Sequence, residues 1–155
     1  MREPEKDRFW IVARDKPGLL IAMMRALVGD GYMSFEGDLS RCAFSAELAP
    51  SSDETAVLAR HTSHPQQDFI VVPLEQDNIQ AILDTILTDG RFMKDIIHIQ
   101  IEKNGRLEFA SYDNFHPDCV VCFHGISTGL LSRLQESGVI RSWTEPYVGA
   151  TRWHG

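Results

Sequence analysis

The stretch Phe9-Trp10-Ile11-Val12-Ala13-Arg14-Asp15-Lys16-Pro17-Gly18-Leu19-Leu20 decides how this chain is read. Residues 9–13 are a short apolar run, the pattern of a buried strand. Asp15 suits a helix cap, and Pro17 suits the first helical turn, where its missing N–H would have no partner anyway. Gly18 allows a backbone or a ligand to come close where any Cβ would intrude. The free N–H groups of such a helix start favour an anion.

Outward from this stretch, residues 8–14 read as a strand and 17–29 as a helix with Leu20, Met23, Met24 and Leu27 on one face, stopped at Asp30-Gly31. From Tyr32 to Leu39, Met33, Phe35, Gly37 and Leu39 alternate with Ser34, Glu36, Asp38 and Ser40, the period of a strand with one wet face. Cys42-Ala43-Phe44 reads as its continuation. Residues 49–67 are rich in Pro, Ser, Asp, Thr and His, and Thr55–Ala59 within them reads equally as a short helix or a strand. Asp68–Leu74 is a near-continuous apolar strand, with Pro73 marking its end or an edge. Ile79, Ile82, Leu83, Ile86 and Leu87 fit the helical template without a miss, capped by Asp77 or Asn78 and stopped by Asp89-Gly90. Ile96–Glu102 is a strand, and Lys103-Asn104-Gly105-Arg106 a hairpin turn into Leu107–Tyr112.

This order is β-α-β-β-α-β. With the helix start at Pro17-Gly18-Leu19-Leu20, the helix through Leu27, the Asp30-Gly31 stop and the following strand, it resembles an ACT domain, a regulatory module that commonly senses amino acids. The resemblance implies an α+β, ferredoxin-like fold over residues 1–104, with a four-stranded antiparallel sheet carrying its helices on one face. A plain ACT domain joins its second and third strands by a tight turn, whereas here an insertion occupies residues 45–67. Residues 105–155 then read as a hairpin strand and a β-α-β extension: Cys119–Phe123, a helix from Gly129 to Glu136, a stop at Gly138, and Val139–Trp143. Gly-Leu-Leu recurs at 18–20 and 129–131, and the extension reads either as a truncated second ACT-like unit or as an addition to the same sheet. Whether it completes this subunit's sheet or a partner's stays open.

The resemblance also implies an effector pocket at Asp15, Pro17, Gly18, Leu19 and Leu20, facing the second strand of a partner subunit, where Ser34 and Glu36, beside Asp38, are candidate contributors. Helix N–H groups near Gly18 and Leu19 would hold a carboxylate, and Asp15 an ammonium group. The competing reading makes Asp15 only a cap, Gly18 only an aid to packing, and the strand residues solvated. An open sheet leaves edges that a second copy would cover, so a homodimer is expected.

His116-Pro117-Asp118-Cys119-Val120-Val121-Cys122-Phe123-His124 holds four metal-ligand types, His116, Cys119, Cys122 and His124. In a strand Cys122 and His124 share a face while Cys119 takes the other, so the four do not converge unless the strand breaks. Buried core cysteines are the simpler reading. His61 and His64, in the polar segment, lack any spacing that fixes them against Cys42 or Glu47 at a metal. There is no Gly-x-Ser-x-Gly elbow, dinucleotide fingerprint or phosphate loop.

At 155 residues, 43% hydrophobic and 24% charged, the chain has an ordinary globular composition. Fifteen Lys and Arg against 22 Asp and Glu give a net charge of −7, a poor basis for nucleic-acid binding. The charged N-terminus does not read as a signal peptide, no stretch has the length to span a bilayer, and three cysteines fit a reducing compartment, so a cytoplasmic protein is expected. The expected function is a dimeric sensing module for an amino acid or similar small anion, without a cofactor and without enzyme activity. The alternatives are an interaction module that binds only protein, and a metal- or thiol-dependent enzyme using His116, Cys119, Cys122 and His124.

Overall fold

A computed structural model describes residues 8–145 apart from 90 and 93. Gly90 of the expected helix stop, and the two ends of the expected domains, residues 1–7 and 146–155, lie outside the described residues.

The chain runs β1 (Arg8–Ala13), α1 (Lys16–Leu27), β2 (Gly31–Gly37), β3 (Asp68–Pro73), α2 (Ile79–Ile86), β4 (Leu87–Thr88), β5 (Arg91–Phe92), β6 (Ile96–Lys103), β7 (Arg106–Ser111), β8 (Val120–Phe123), α3 (Thr128–Glu136) and β9 (Ile140–Thr144). It is an α+β fold. Seven strands form one antiparallel sheet in the order β3-β2-β6-β7-β8-β1-β9, and β4 and β5 form a separate small hairpin.

The local reasons match the residues. Asp15 caps α1 with its side chain, Pro17 sits in the first turn, and Leu19, Leu20, Met23, Met24 and Leu27 are buried on one stripe. The α2 stripe Ile79, Ile82, Leu83 and Ile86 is buried in the same way. Asn104 and Gly105 both have positive φ, 54° and 76°, the geometry of a two-residue hairpin that favours Asn-Gly. All three helices contribute to one core cluster, with Phe9 and Ile11 of β1, Met33 and Phe35 of β2, Ile99 and Ile101 of β6, Phe109 of β7 and Val120 and Cys122 of β8. The helices therefore pack against a single face of the sheet. No helix among the described residues is long and apolar enough to cross a membrane.

The strand order departs from the ferredoxin-like expectation. A ferredoxin-like sheet sets its first and third strands side by side at the centre, whereas β1 here is separated from β3 by β2, β6, β7 and β8. The reason is the C-terminal segment. β8 and β9 both pair antiparallel with β1, in the same chain, and the β6–β7 hairpin fills the space between them and β2. The sheet is thus two three-strand units of one plan, β3-β2-β6 spanned by α2 and β8-β1-β9 spanned by α3, joined through β7.

Two further differences position the sites. The second strand ends at Gly37 and does not continue to Phe44; Leu39 N–H instead donates to Asp68 Oδ2 at 3.0 Å, and Phe44 folds back to pack on Phe35. Gly37, with φ of 148°, lies at an irregularity in the β2–β6 pairing, where an added Cβ would run into the Asp95 carbonyl oxygen. The stretch Thr55–Ala59 is neither helix nor strand. Thr55 Oγ1 accepts from Val57 N–H (3.1 Å) and Leu58 N–H (2.8 Å), making a side-chain turn within a strap that crosses the sheet face away from the helices.

Candidate functional site

Two clusters of polar side chains stand out, on opposite faces of the sheet. The first is at the start of α1. Arg14 and Asp15 N–H groups both donate to the Val139 carbonyl, at 3.0 and 2.9 Å, which ties this turn to the approach of β9. Asp15 Oδ1 accepts from Gly18 N–H at 3.0 Å, and the Asp15 carbonyl accepts from Leu19 N–H at 2.9 Å. The donors expected to hold a ligand carboxylate are therefore engaged by Asp15 itself. An added Cβ at Gly18 would meet the Asp15 carboxylate, so glycine is what permits this cap. Leu19 and Leu20 are wholly buried and brace the helix against the sheet.

Beside this turn lies a cavity of about 410 Å³ lined by Arg14, Asp15, Lys16, Pro17, Phe92, Lys94 and Asn114. Of the expected pocket residues it includes Asp15 and Pro17, while Gly18, Leu19 and Leu20 stand behind its wall. Among the described residues three cations line it against one carboxylate. Lys16 Nζ donates to Asn114 Oδ1 at 3.4 Å, and Phe92 stacks on Phe115 with ring centroids 5.3 Å apart. Asp113, Asn114 and Phe115 have successive φ values of 53°, 53° and 60°, an unusual left-handed run that turns the chain sharply after β7. Arg14 and Lys16 adjoin the opening motif, but Phe92, Lys94 and Asn114 carry no periodicity or spacing that would have marked them.

The second cluster lies on the face opposite the helices. Ser34 and Glu36, expected on a wet face, are each only 2% exposed, because the strap covers them. Both Glu36 oxygens are taken up: Oε1 accepts from His61 N–H at 2.8 Å and Oε2 from Thr62 N–H at 3.1 Å. Thr55 Oγ1 donates to Glu102 Oε1 at 2.9 Å, and Ala59 N–H donates to Gln100 Oε1 at 3.3 Å. Gln100 Nε2 donates to Tyr112 Oη at 3.2 Å. The His61 ring stacks on Tyr112 at 3.9 Å and meets His98 edge-on at 4.9 Å. His98 Nδ1 accepts from Asp113 N–H at 3.1 Å, and Nε2 lies 2.7 Å from Thr62 Oγ1.

Burial sets the electrostatics of this cluster. It holds both His61 and His98 below their ordinary range, with the nearby Glu36 charge opposing it, and it pushes the Tyr112 phenol up to about 12. Glu36 thus anchors the strap, Ser34 is buried beside it on the same face of β2, and neither lines the cavity at α1. His61, read as a loop histidine, sits at its centre; His64 is exposed, as are Asp38 and Glu47, while Cys42 packs against the core.

The third constellation does not assemble. Cys122 is buried on the helix-facing side, its thiol pushed up to about 12 by burial and then by Glu108, while Cys119 packs with the cluster on the other face. His116 Nδ1 accepts from Asp118 N–H at 3.1 Å, and His124 Nδ1 lies 2.8 Å from Arg106 Nη2. Among the described residues no group of three or more His, Cys, Asp or Glu is arranged to hold a metal ion. In comparisons with known proteins, no family model, curated protein or solved structure matches the chain.

Proposed function

We propose that the protein is a sensing module that binds an amino acid or a similar small anion in the cavity at the start of α1. One observation carries this reading: Arg14, Lys16 and Lys94 converge on one cavity in a chain whose net charge is −7. A ligand carboxylate among these cations gains charge-assisted hydrogen bonds. Asp15 and the Asn114 amide oxygen offer acceptors for an ammonium group, and Phe92 offers an apolar wall for a short side chain. A volume of about 410 Å³ suits a small molecule. The ACT-like resemblance supports the amino-acid reading through the β1–α1 unit alone; the strand order lends it nothing.

Occupancy would tie α1 to the segment bearing Phe92 and Lys94 and to the turn at Asn114, selecting one arrangement of the three. Among the described residues β9 has one ladder partner, β1, and lies at the end of the sheet. Pairing with a second copy would relieve that edge and make the expected homodimer. Thermal unfolding against the twenty amino acids, acetate and phosphate tests the proposal. A true ligand at 100 times its Kd stabilises the protein by about 2.7 kcal/mol. A selective upward shift that disappears in the double variant Arg14→Gln/Lys94→Gln supports the site. No shift with any compound rejects the function, and a shift that survives in the variant rejects the location.

A further inference from the structure

We propose that His98 is a pH-sensitive latch for the strap, residues 54–62, so that protonation of its ring releases the strap from the sheet. The geometry fixes the ring's state. A nitrogen that accepts a backbone N–H bears a lone pair, so Nδ1, 3.1 Å from Asp113 N, carries no proton and Nε2–H donates to Thr62 Oγ1 at 2.7 Å. A second proton, added at Nδ1, sets donor against donor. The ring is 7% exposed, so water cannot readily take up the lost contacts in place. To be protonated the ring has to turn or move, and either motion breaks its bond to Thr62.

The groups facing His98 come from every element around it. β2 supplies Glu36, the strap supplies His61 and Thr62, the segment after β7 supplies Tyr112 and Asp113, and β6 itself supplies Gln100 as a neighbour on the same face. The Glu36 and Asp113 charges and a hydrogen bond with the Ile97 backbone favour a proton on His98; burial, the largest influence, disfavours it, and so does His61. The strap is also held by hydrogen bonds to Glu36, Gln100 and Glu102, by Leu58 buried against Phe69 and Val71, and by Arg60 over the Phe69 ring. Because the latched ring stays neutral where a free imidazole would be charged, the strap is held fully above about pH 6.5 and loosens as pH falls below it.

Hydrogen exchange of the amides of residues 54–62, corrected for the intrinsic pH effect and referenced to β6 amides, tests this at pH 7.5 and 5.5. Loss of a buried hydrogen-bonded contact predicts strap opening about tenfold more frequent at the lower pH. His98→Asn keeps an acceptor for Asp113 N–H and His98→Gln keeps a reach towards Thr62; both should abolish the pH response, whereas His61→Gln should retain it. An unchanged ratio in the natural sequence, a response surviving in both His98 variants, or one abolished by His61→Gln overturns the proposal. Should neither His98 variant fold, ring-nitrogen chemical shifts of the natural protein decide: an Nε2–H tautomer with a midpoint below 6.5 supports the latch, and an Nδ1–H tautomer or a midpoint at or above 6.5 refutes it.

Discussion

Replacing Glu36 with alanine removes the acceptor of two hydrogen bonds that hold the strap, those from His61 N–H at 2.8 Å and Thr62 N–H at 3.1 Å. Each such bond to a charged acceptor contributes about 1.5–3 kcal/mol, and each donor stranded without water costs about 1–3 kcal/mol. The carboxylate is 2% exposed, but the two donors are only part-buried and water reaches them when the strap lifts. The expected loss is therefore below the simple sum, about 2–4 kcal/mol. For a chain of this size that corresponds to roughly 5–15 °C in Tm, read by circular dichroism. Glu36→Gln, which keeps one amide oxygen as acceptor, should lose about half as much. Glu47→Ala, at an exposed position, should stay within about 0.5 kcal/mol and serves as the control. A loss under about 1 kcal/mol for Glu36→Ala would refute the view that this buried carboxylate anchors the strap.

Gly37→Ala should destabilise by about 2 kcal/mol or more, measured by urea unfolding, because φ of 148° and the Asp95 carbonyl both oppose a Cβ there. Tyr112, with its phenol raised to about 12, adds stability that is full below about pH 10 and is lost as pH rises from 10 towards 12, by roughly 3 kcal/mol in total; Tyr112→Phe should flatten that part of an alkaline stability profile. Cys122, buried with its thiol near 12, should resist a thiol reagent at pH 8 until the protein unfolds, while the half-buried Cys42 and Cys119 react in the native state. Mass spectrometry after partial labelling distinguishes these outcomes.

Much of the local structure was legible because its causes lie within a few residues. The α2 stripe follows from helical spacing alone, the β6–β7 hairpin from Asn104-Gly105, and the α1 start from Asp15 and Pro17. What failed was non-local. Nothing in β1 announces that its partners come from residues 120–144, and so the ferredoxin-like order gave way to a seven-stranded sheet. Ser34 and Glu36 alternate like a wet strand face, yet a segment that follows them in sequence and lacks regular structure covers them. The strap's other contacts, Gln100, Glu102 and His98, were visible only as polar positions in β6. The cavity shows the same division, since Asp15 and Pro17 belong to a readable motif whereas Phe92, Lys94 and Asn114 arrive through the fold.

Ligand binding at the start of α1 is read out residue by residue in a two-dimensional amide spectrum of the labelled protein, with and without a mixture of the twenty amino acids. Binding at the start of α1 predicts shifts concentrated at residues 14–20, 92, 94 and 114, and none of comparable size along the strap. A spectrum without shifts, or one perturbed only at residues 54–62, would show that the cavity at the start of α1 is not an amino-acid site.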